Sequence, residues 1–384
     1  MTSAVPTWLP ERHLGVIATL AHADELIAQI GELLFSYLRG EDVIRIREVP
    51  NGAMSDAVVE RLAPIPRKLP LLVADAFVTL RAALEHTLFA EAEFLNGEPL
   101  SEDAARSIEM PASLKHNDYV EWVKKRKRKT PDSLAAGSEL LRRVEGLQPF
   151  HRNIRPDLHP LARLALHTNR SKHRTPATIA VRLVTIVRDD EVVRSINDVE
   201  LRPELPLHVG EVIAQTPLGQ RVPADLWPAL GINRPDTDEW PIMMHELDEI
   251  SSWVRQQAIP RLITGGGASA EELPTHYEIS TGHDDESLAI ARGSTLTAAQ
   301  RNKNQMGAAV VRSNLVDLLL PQATGLTIEG ITAWLAQVED VDVIDMITQL
   351  KASLSQEPGG TEAAEMLLNE LGNRALQFMS DQPQ

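Results

Sequence analysis

Residues 71–95 read LLVADAFVTLRAALEHTLFAEAEFL, and this stretch decides the fold class. Val73, Phe77, Leu80, Leu84 and Leu88 recur at three- and four-residue steps, the spacing that aligns one face of an α-helix. Neither Pro nor Gly interrupts the run, and Asn96-Gly97 supplies a stop, because glycine takes the left-handed conformation at a helix end without steric cost. An apolar stripe of this length needs neighbours to cover it.

The neighbours are legible on both sides. Leu20, Ile27, Ile30, Leu34 and Leu38 predict a long amphipathic helix over Glu11 to Arg39, closed by Gly40, and helical spacing returns over Leu134 to Leu147 and Leu158 to Thr168. Residues 1–175 are therefore expected to form a helical bundle. Within them Ile44 and Ile46 alternate with Arg45 and Arg47, which predicts a short strand over Val43 to Val49, and the polar stretch 97–133 carries no predicted element.

After residue 175 the period changes. Thr178 to Val187, Val192 to Leu201 and Leu207 to Thr216 are rich in β-branched residues and predict a small antiparallel sheet. A helix over Met243 to Ile263 closes this 176–266 segment, which is expected to pack on the bundle. Residues 267–294, rich in Gly, Ser, Glu and His, read as a linker. Beyond it Thr297-Ala-Ala-Gln300 resembles a capping box, and Met306, Val310, Leu315, Ile331, Leu335, Ile347, Leu350, Leu367 and Leu371 predict a helical set. The expected fold is mainly α: an N-terminal helical bundle with a small antiparallel β-sheet insertion, plus a separate C-terminal helical domain over 295–384.

Composition narrows the chemistry. Hydrophobic residues make up 43% of the 384 but aromatics only 4%, so the core must be aliphatic. The absence of cysteine removes disulfides, thiolate-bound metals and a cysteine nucleophile, and fits a reducing compartment. Met1 to Pro10 lacks the basic start and apolar run of a signal peptide, and no stretch approaches the length needed to span a bilayer. A cytoplasmic protein with no membrane partner is the expectation.

The net charge of −16 is unevenly spread: residues 112–174 hold 15 Lys/Arg and 6 Asp/Glu, a net of +9, which leaves −25 for the rest. The densest part, KKRKRK at 124–129, offers Lys124, Lys125 and Arg126 to phosphates; the plainer reading is a solvated charge run in a loop. RNA or a nucleotide is the partner this island suggests, and the C-terminal helices offer a surface for a protein partner.

Candidate working residues fall in two groups. Arg81, Glu85 and His86 lie within six positions of one helix, where Arg81 and Glu85 can pair at i, i+4. Gln148, His159, Asn169, Lys172, His173 and Arg174 follow in the basic island. Brought together, Arg81, His86, His159, Lys172, His173 and Arg174 would make a cationic site with imidazoles able to move protons near neutral pH, suited to a phosphate-bearing ligand. The plainer reading is a polar network that fixes the helices in register. A metal site built from His86, His159 and His173 has no supporting spacing. No phosphate loop, His-Glu-x-x-His or Gly-x-Ser-x-Gly is present, no cofactor is expected, and His245-Glu246 reads as an exposed pair.

The order Leu80-Arg-Ala-Ala-Leu-Glu-His86, Leu147-Gln-Pro-Phe150, His159-Pro-Leu161 and Asn169-Arg-Ser-Lys-His-Arg174 resembles an uncharacterised, largely actinobacterial family with the motifs LR-S/A-ALDH, LQPY, HPL and N-x-DKHR, over roughly residues 12–263. The chain departs from that pattern at Thr79, Glu85, Phe150 and Ser171, where Asn, Asp, Tyr and Asp are usual. If the family is catalytic, the lost phenol and carboxylate bear on this member's activity. Arg81 and His86 also resemble the Arg-x4-6-His signature of the HEPN superfamily of helical ribonucleases. That resemblance implies metal-independent RNA cleavage in stress or phage defence, His86 as general acid or base, Arg81 stabilising phosphate charge, and a homodimer. Positions five apart on a regular helix point about 140° apart, so convergence of Arg81 and His86 requires a distorted turn or a second copy.

Overall fold

The computed structural model describes residues 6–40, 42–126, 130–190, 200–266, 271–355 and 360–381. Helix α1 (Leu14–Leu38) opens it, with Ile17, Leu20, Ile27, Ile30 and Leu34 buried. Strands β1 (Ile44–Asn51) and β2 (Met54–Leu62) form a hairpin. Helix α2 (Lys68–Asn96) follows, packed along α1. Its Phe77, Leu80, Leu84 and Leu88 are at most 1% exposed, and it stops at Gly97 with φ of 75°, the left-handed turn its sequence predicts.

The polar stretch 97–133 is not without structure: it contains α3 (Glu102–Ser107) and α4 (His116–Arg126). Ser101 caps α3 by accepting the Ala104 N–H, and α4 inserts Tyr119 into the main core. Then come α5 (Glu139–Glu145) and α6 (Pro160–His173). Leu140, Leu141, Leu161 and Leu164 from these two helices complete the aliphatic core around α1 and α2.

Strands β3 (Ile179–Arg188), β4 (Val212–Pro217) and β5 (Ala224–Ile232) correct the expected single sheet. β4 adds to the N-terminal hairpin in the order β1-β2-β4, while β3 pairs with β5, all antiparallel. The arrangement has a packing reason. Val59 of β2, Leu183 of β3, Ile213 of β4 and Leu207 meet in a small core of their own, so each sheet covers the other's apolar face. Of the expected strand at Val192 to Leu201, residues 192–199 lie outside the described residues, as do Lys127 to Lys129 and Gly267 to Ala270.

Helix α7 (Met243–Trp253) runs through a π turn at Val254–Ala258 into α8 (Ile259–Thr264). Pro260 lacks the N–H that a regular ladder would need there, and the widened turn just before it absorbs the gap. Residues 271–294, expected as linker, instead contribute Leu273, Tyr277 and Ile290 to the main core, with α9 (Glu286–Ala291) among them.

The chain divides into two compact units, Met1–Ala299 and Gln300–Gln384. The second holds α10 (Ala298–Leu319) from Gln300 onward, with α11 (Ile328–Gln337), α12 (Asp340–Leu354) and α13 (Gly360–Asp381). Leu315, Ile331, Leu335, Val343, Leu350 and Leu371 make its separate core. No helix among the described residues is long and apolar enough to cross a membrane.

Candidate functional site

The residues singled out from the sequence do not converge on one cleft. Arg81 donates from Nε to Glu85 Oε1 at 2.8 Å and from Nη2 to the Met110 carbonyl, while Glu85 Oε2 accepts the Met110 N–H at 2.8 Å. The pair thus clamps one residue of the 108–112 segment onto α2, a structural task. His86, on the same helix, is exposed and has no hydrogen-bond or ion-pair partner among the described residues. α2 is regular through this stretch, so the wide angular separation expected of a regular helix stands.

Gln148 is fully buried, and its whole amide is used. Nε2 donates to the Pro111 and Val144 carbonyls at 3.1 and 3.0 Å, and Oε1 accepts the Ser113 N–H at 3.0 Å. It holds a loop, with no donor left for a ligand.

His159 caps α6: its Nδ1 accepts the Leu161 N–H at 3.2 Å, which requires that nitrogen to be unprotonated. Trp253 meets the ring edge-on at 5.1 Å. Burial, helped by the charges of Arg152 and Arg163, pushes the imidazole down to about 4, so the cap is intact at neutral pH. A metal would compete with this cap, and no group of three or more His, Asp or Glu among the described residues is arranged to hold one.

The far end of α6 is different. Asn169, Lys172, His173 and Arg174 are exposed, and the half-buried Arg170 stands with them in the last turn. The 233–239 loop after β5 presents Asp236 here: its Oδ1 lies 3.6 Å from Arg170 and 3.5 Å from Arg174. Asp236 holds a left-handed backbone, φ 60°. Lys172 and His173 have no countercharge among the described residues. Lys124 pairs with Glu121 at 2.9 Å, and Lys125 is exposed on the same helix; Arg126 ends that helix.

Two charged networks escape sequence reasoning. In the first, Glu246, expected to be exposed, is 1% exposed. Arg163 Nη1 and Arg234 Nη2 each reach its Oε2 at 2.7 Å, Arg234 Nε reaches Oε1 at 3.1 Å, and His167 Nε2 lies 3.4 Å from Oε1. His167 in turn stacks on Phe77 of α2 at 4.4 Å. Arg234 also binds Glu239, which binds Arg155. In the second, Glu91 of α2 accepts from Arg12 at 2.6 Å and lies 2.7 Å from His13 Nε2 and 3.4 Å from Arg143. A signal existed for both. Glu91 continues the stripe Leu84, Leu88, Glu91, and Glu246 falls between Met243 and Leu247 on a buried face; a carboxylate on an apolar face has to be paired.

The Glu246 network and Asp236 share the 233–239 loop and α6, so the loop is fixed at its base and presents Asp236 at its tip. The chain matches no protein-family model, no curated protein and no solved structure.

Proposed function

We propose that this chain is a binding protein that holds a phosphate-bearing partner, RNA being the first to test, at the C-terminal end of α6. The observation that carries the reading is the exposed set Lys172, His173 and Arg174 at the end of α6, where Asp236 stands beside Arg170 and Arg174. Guanidinium groups suit phosphate through their planar fork of donors, and the negative end of the helix dipole favours keeping these groups charged. Asp236 acts as a built-in counter-ion that a phosphate would replace.

The alternative is a HEPN-like, metal-independent ribonuclease using His86 and Arg81. It has less support, because Arg81 is committed to Glu85 and Met110 and His86 stands apart from it.

The test is fluorescence anisotropy of a labelled single-stranded RNA against salt concentration, in EDTA. Lys172→Ala with Arg174→Ala should weaken binding about tenfold or more and lower the salt slope by roughly the two phosphate contacts removed. Asp236→Asn, which keeps a residue tolerant of positive φ, should strengthen binding. Equal affinity in all three proteins overturns the proposal. RNA cleavage by wild type but not by folded His86→Ala would replace it with the nuclease.

A further inference from the structure

The second unit offers a site unrelated to the basic end of α6. Residues 300–384 hold 5 Lys/Arg against 11 Asp/Glu, a net of −6. Helices α11, α12 and α13 enclose a groove of about 530 Å³. Its floor is apolar: Trp334 and Leu371 are buried, while Val338, Met346 and Leu367 are half-buried and line the opening. Space of this size accepts several large apolar side chains, and Met346 supplies an adaptable surface for them.

The rim carries unpaired carboxylates on α12 and an ion pair on α13. Asp342 and Asp345, one turn apart on α12, and Glu370 on α13 are exposed at the edge. Glu370 is neutralised by Arg374 at 2.6 Å; Asp342 and Asp345 have no ion-pair partner among the described residues. We propose that this groove docks an amphipathic helix of a partner protein, with apolar residues at i, i+3/i+4 and i+7 seated on Trp334, Met346 and Leu367 and with Lys or Arg flanking them to meet Asp342 and Asp345. Apolar side chains beside unpaired carboxylates are how a helix-binding groove selects its ligand.

Charge complementarity chooses this occupant over others. Nucleic acid and anionic lipid would meet Asp342 and Asp345 with like charge.

The experiment uses the full chain and three labelled synthetic peptides about 16 residues long: a Leu/Lys amphipathic helix, the same composition scrambled to remove the apolar face, and a Leu/Glu twin. Anisotropy at physiological salt should show the amphipathic cationic peptide binding about tenfold or more tighter than the other two. Asp342→Lys with Asp345→Lys should abolish that preference. Glu362→Lys with Glu365→Lys, the same charge change at exposed positions outside the groove, should leave it in place; circular dichroism verifies that both variants fold. Equal binding of the scrambled peptide, or equal loss in the two double variants, overturns the proposal, since either would mean attraction to net charge alone. So would a dimer of the unliganded chain that dissociates in the Asp342/Asp345 variant, which assigns the groove to a second copy.

Discussion

At 1% exposure the Glu246 carboxylate would be neutral unless neighbours held its charge. Burial pushes it up, but hydrogen bonds from His167 and Arg234 and the charges of Arg163 and Arg234 outweigh burial and bring it to about 2. The folded value lies below the ordinary carboxylate value of 4.5, so its stabilisation is complete above that value and is lost as pH falls toward about 2. Glu246→Gln strips the charge while keeping the shape, leaving buried Arg163 with Glu249 at 2.7 Å and half-buried Arg234 with Glu239 at 2.7 Å as their remaining carboxylates. The expected cost at neutral pH is about 1–3 kcal/mol, the range for losing charged hydrogen bonds in a buried site. Urea denaturation at neutral pH and in acid checks it: the variant should be far weaker at neutral pH and should lose less on acidification. An unchanged neutral midpoint would mean that the network contributes nothing to folding. Spacing explains why some pairs are legible in sequence and others are not. Arg81 and Glu85 announce themselves by i, i+4 alone, and they do pair, yet the partner that gives them a task, Met110, is 25 positions from Glu85. The Glu246 cluster draws on α6, α7 and the 233–239 loop, and no local pattern announces a meeting of segments about 80 positions apart.

Elements are legible where one period holds, and hidden where a rule of thumb meets its exception. The α1 and α2 stripes are long and uninterrupted, so both helices can be read almost to their ends. The strand at 43–49 is legible but its partner is not, although Asn51-Gly52 between them is a hairpin signal and Gly52 has φ of 62°. Pro50 makes the segment look broken; β1 is an edge strand, where a missing N–H is tolerated. β5 hides for the same reason: Pro228 lies opposite Leu183, where the register shifts, and Gly231 interrupts the pattern. Gly231 is there for space. A Cβ on it would stand 2.5 Å from Arg182 Cδ, and Arg182, 3% exposed, donates to the Trp240 carbonyl at 2.8 Å. Gly231→Ala should therefore displace that side chain and cost about 1–3 kcal/mol, as overpacking does. In an Arg182→Ala background the same change should cost little, because the obstructing stem is gone. A double-mutant cycle by chemical denaturation measures this, and additive costs would refute the close-packing account.

The two units have separate cores, one spread over α1, α2, α5, α6, α7 and α8, the other confined to the last four helices. Both are mainly aliphatic, as a chain with 4% aromatics requires. A core whose buried side chains pack on one another gains its cooperativity internally, so a cavity in one core should be felt there and not in the other. Leu371, 2% exposed, lies in the smaller core. Leu371→Ala should cost about 2–5 kcal/mol, and the loss should appear only in the helices of residues 300–381. Segment-resolved amide exchange reads it: protection should fall in α11, α12 and α13 by that amount and stay unchanged in α1 and α2. Leu84→Ala, fully buried in the larger core, is the reciprocal case and should reverse the pattern. Equal loss of protection in both sets from either variant would show one cooperative body. In that case the groove on α11 to α13 and the cationic end of α6 would be thermodynamically linked, and occupation of either would alter the stability that the other reads.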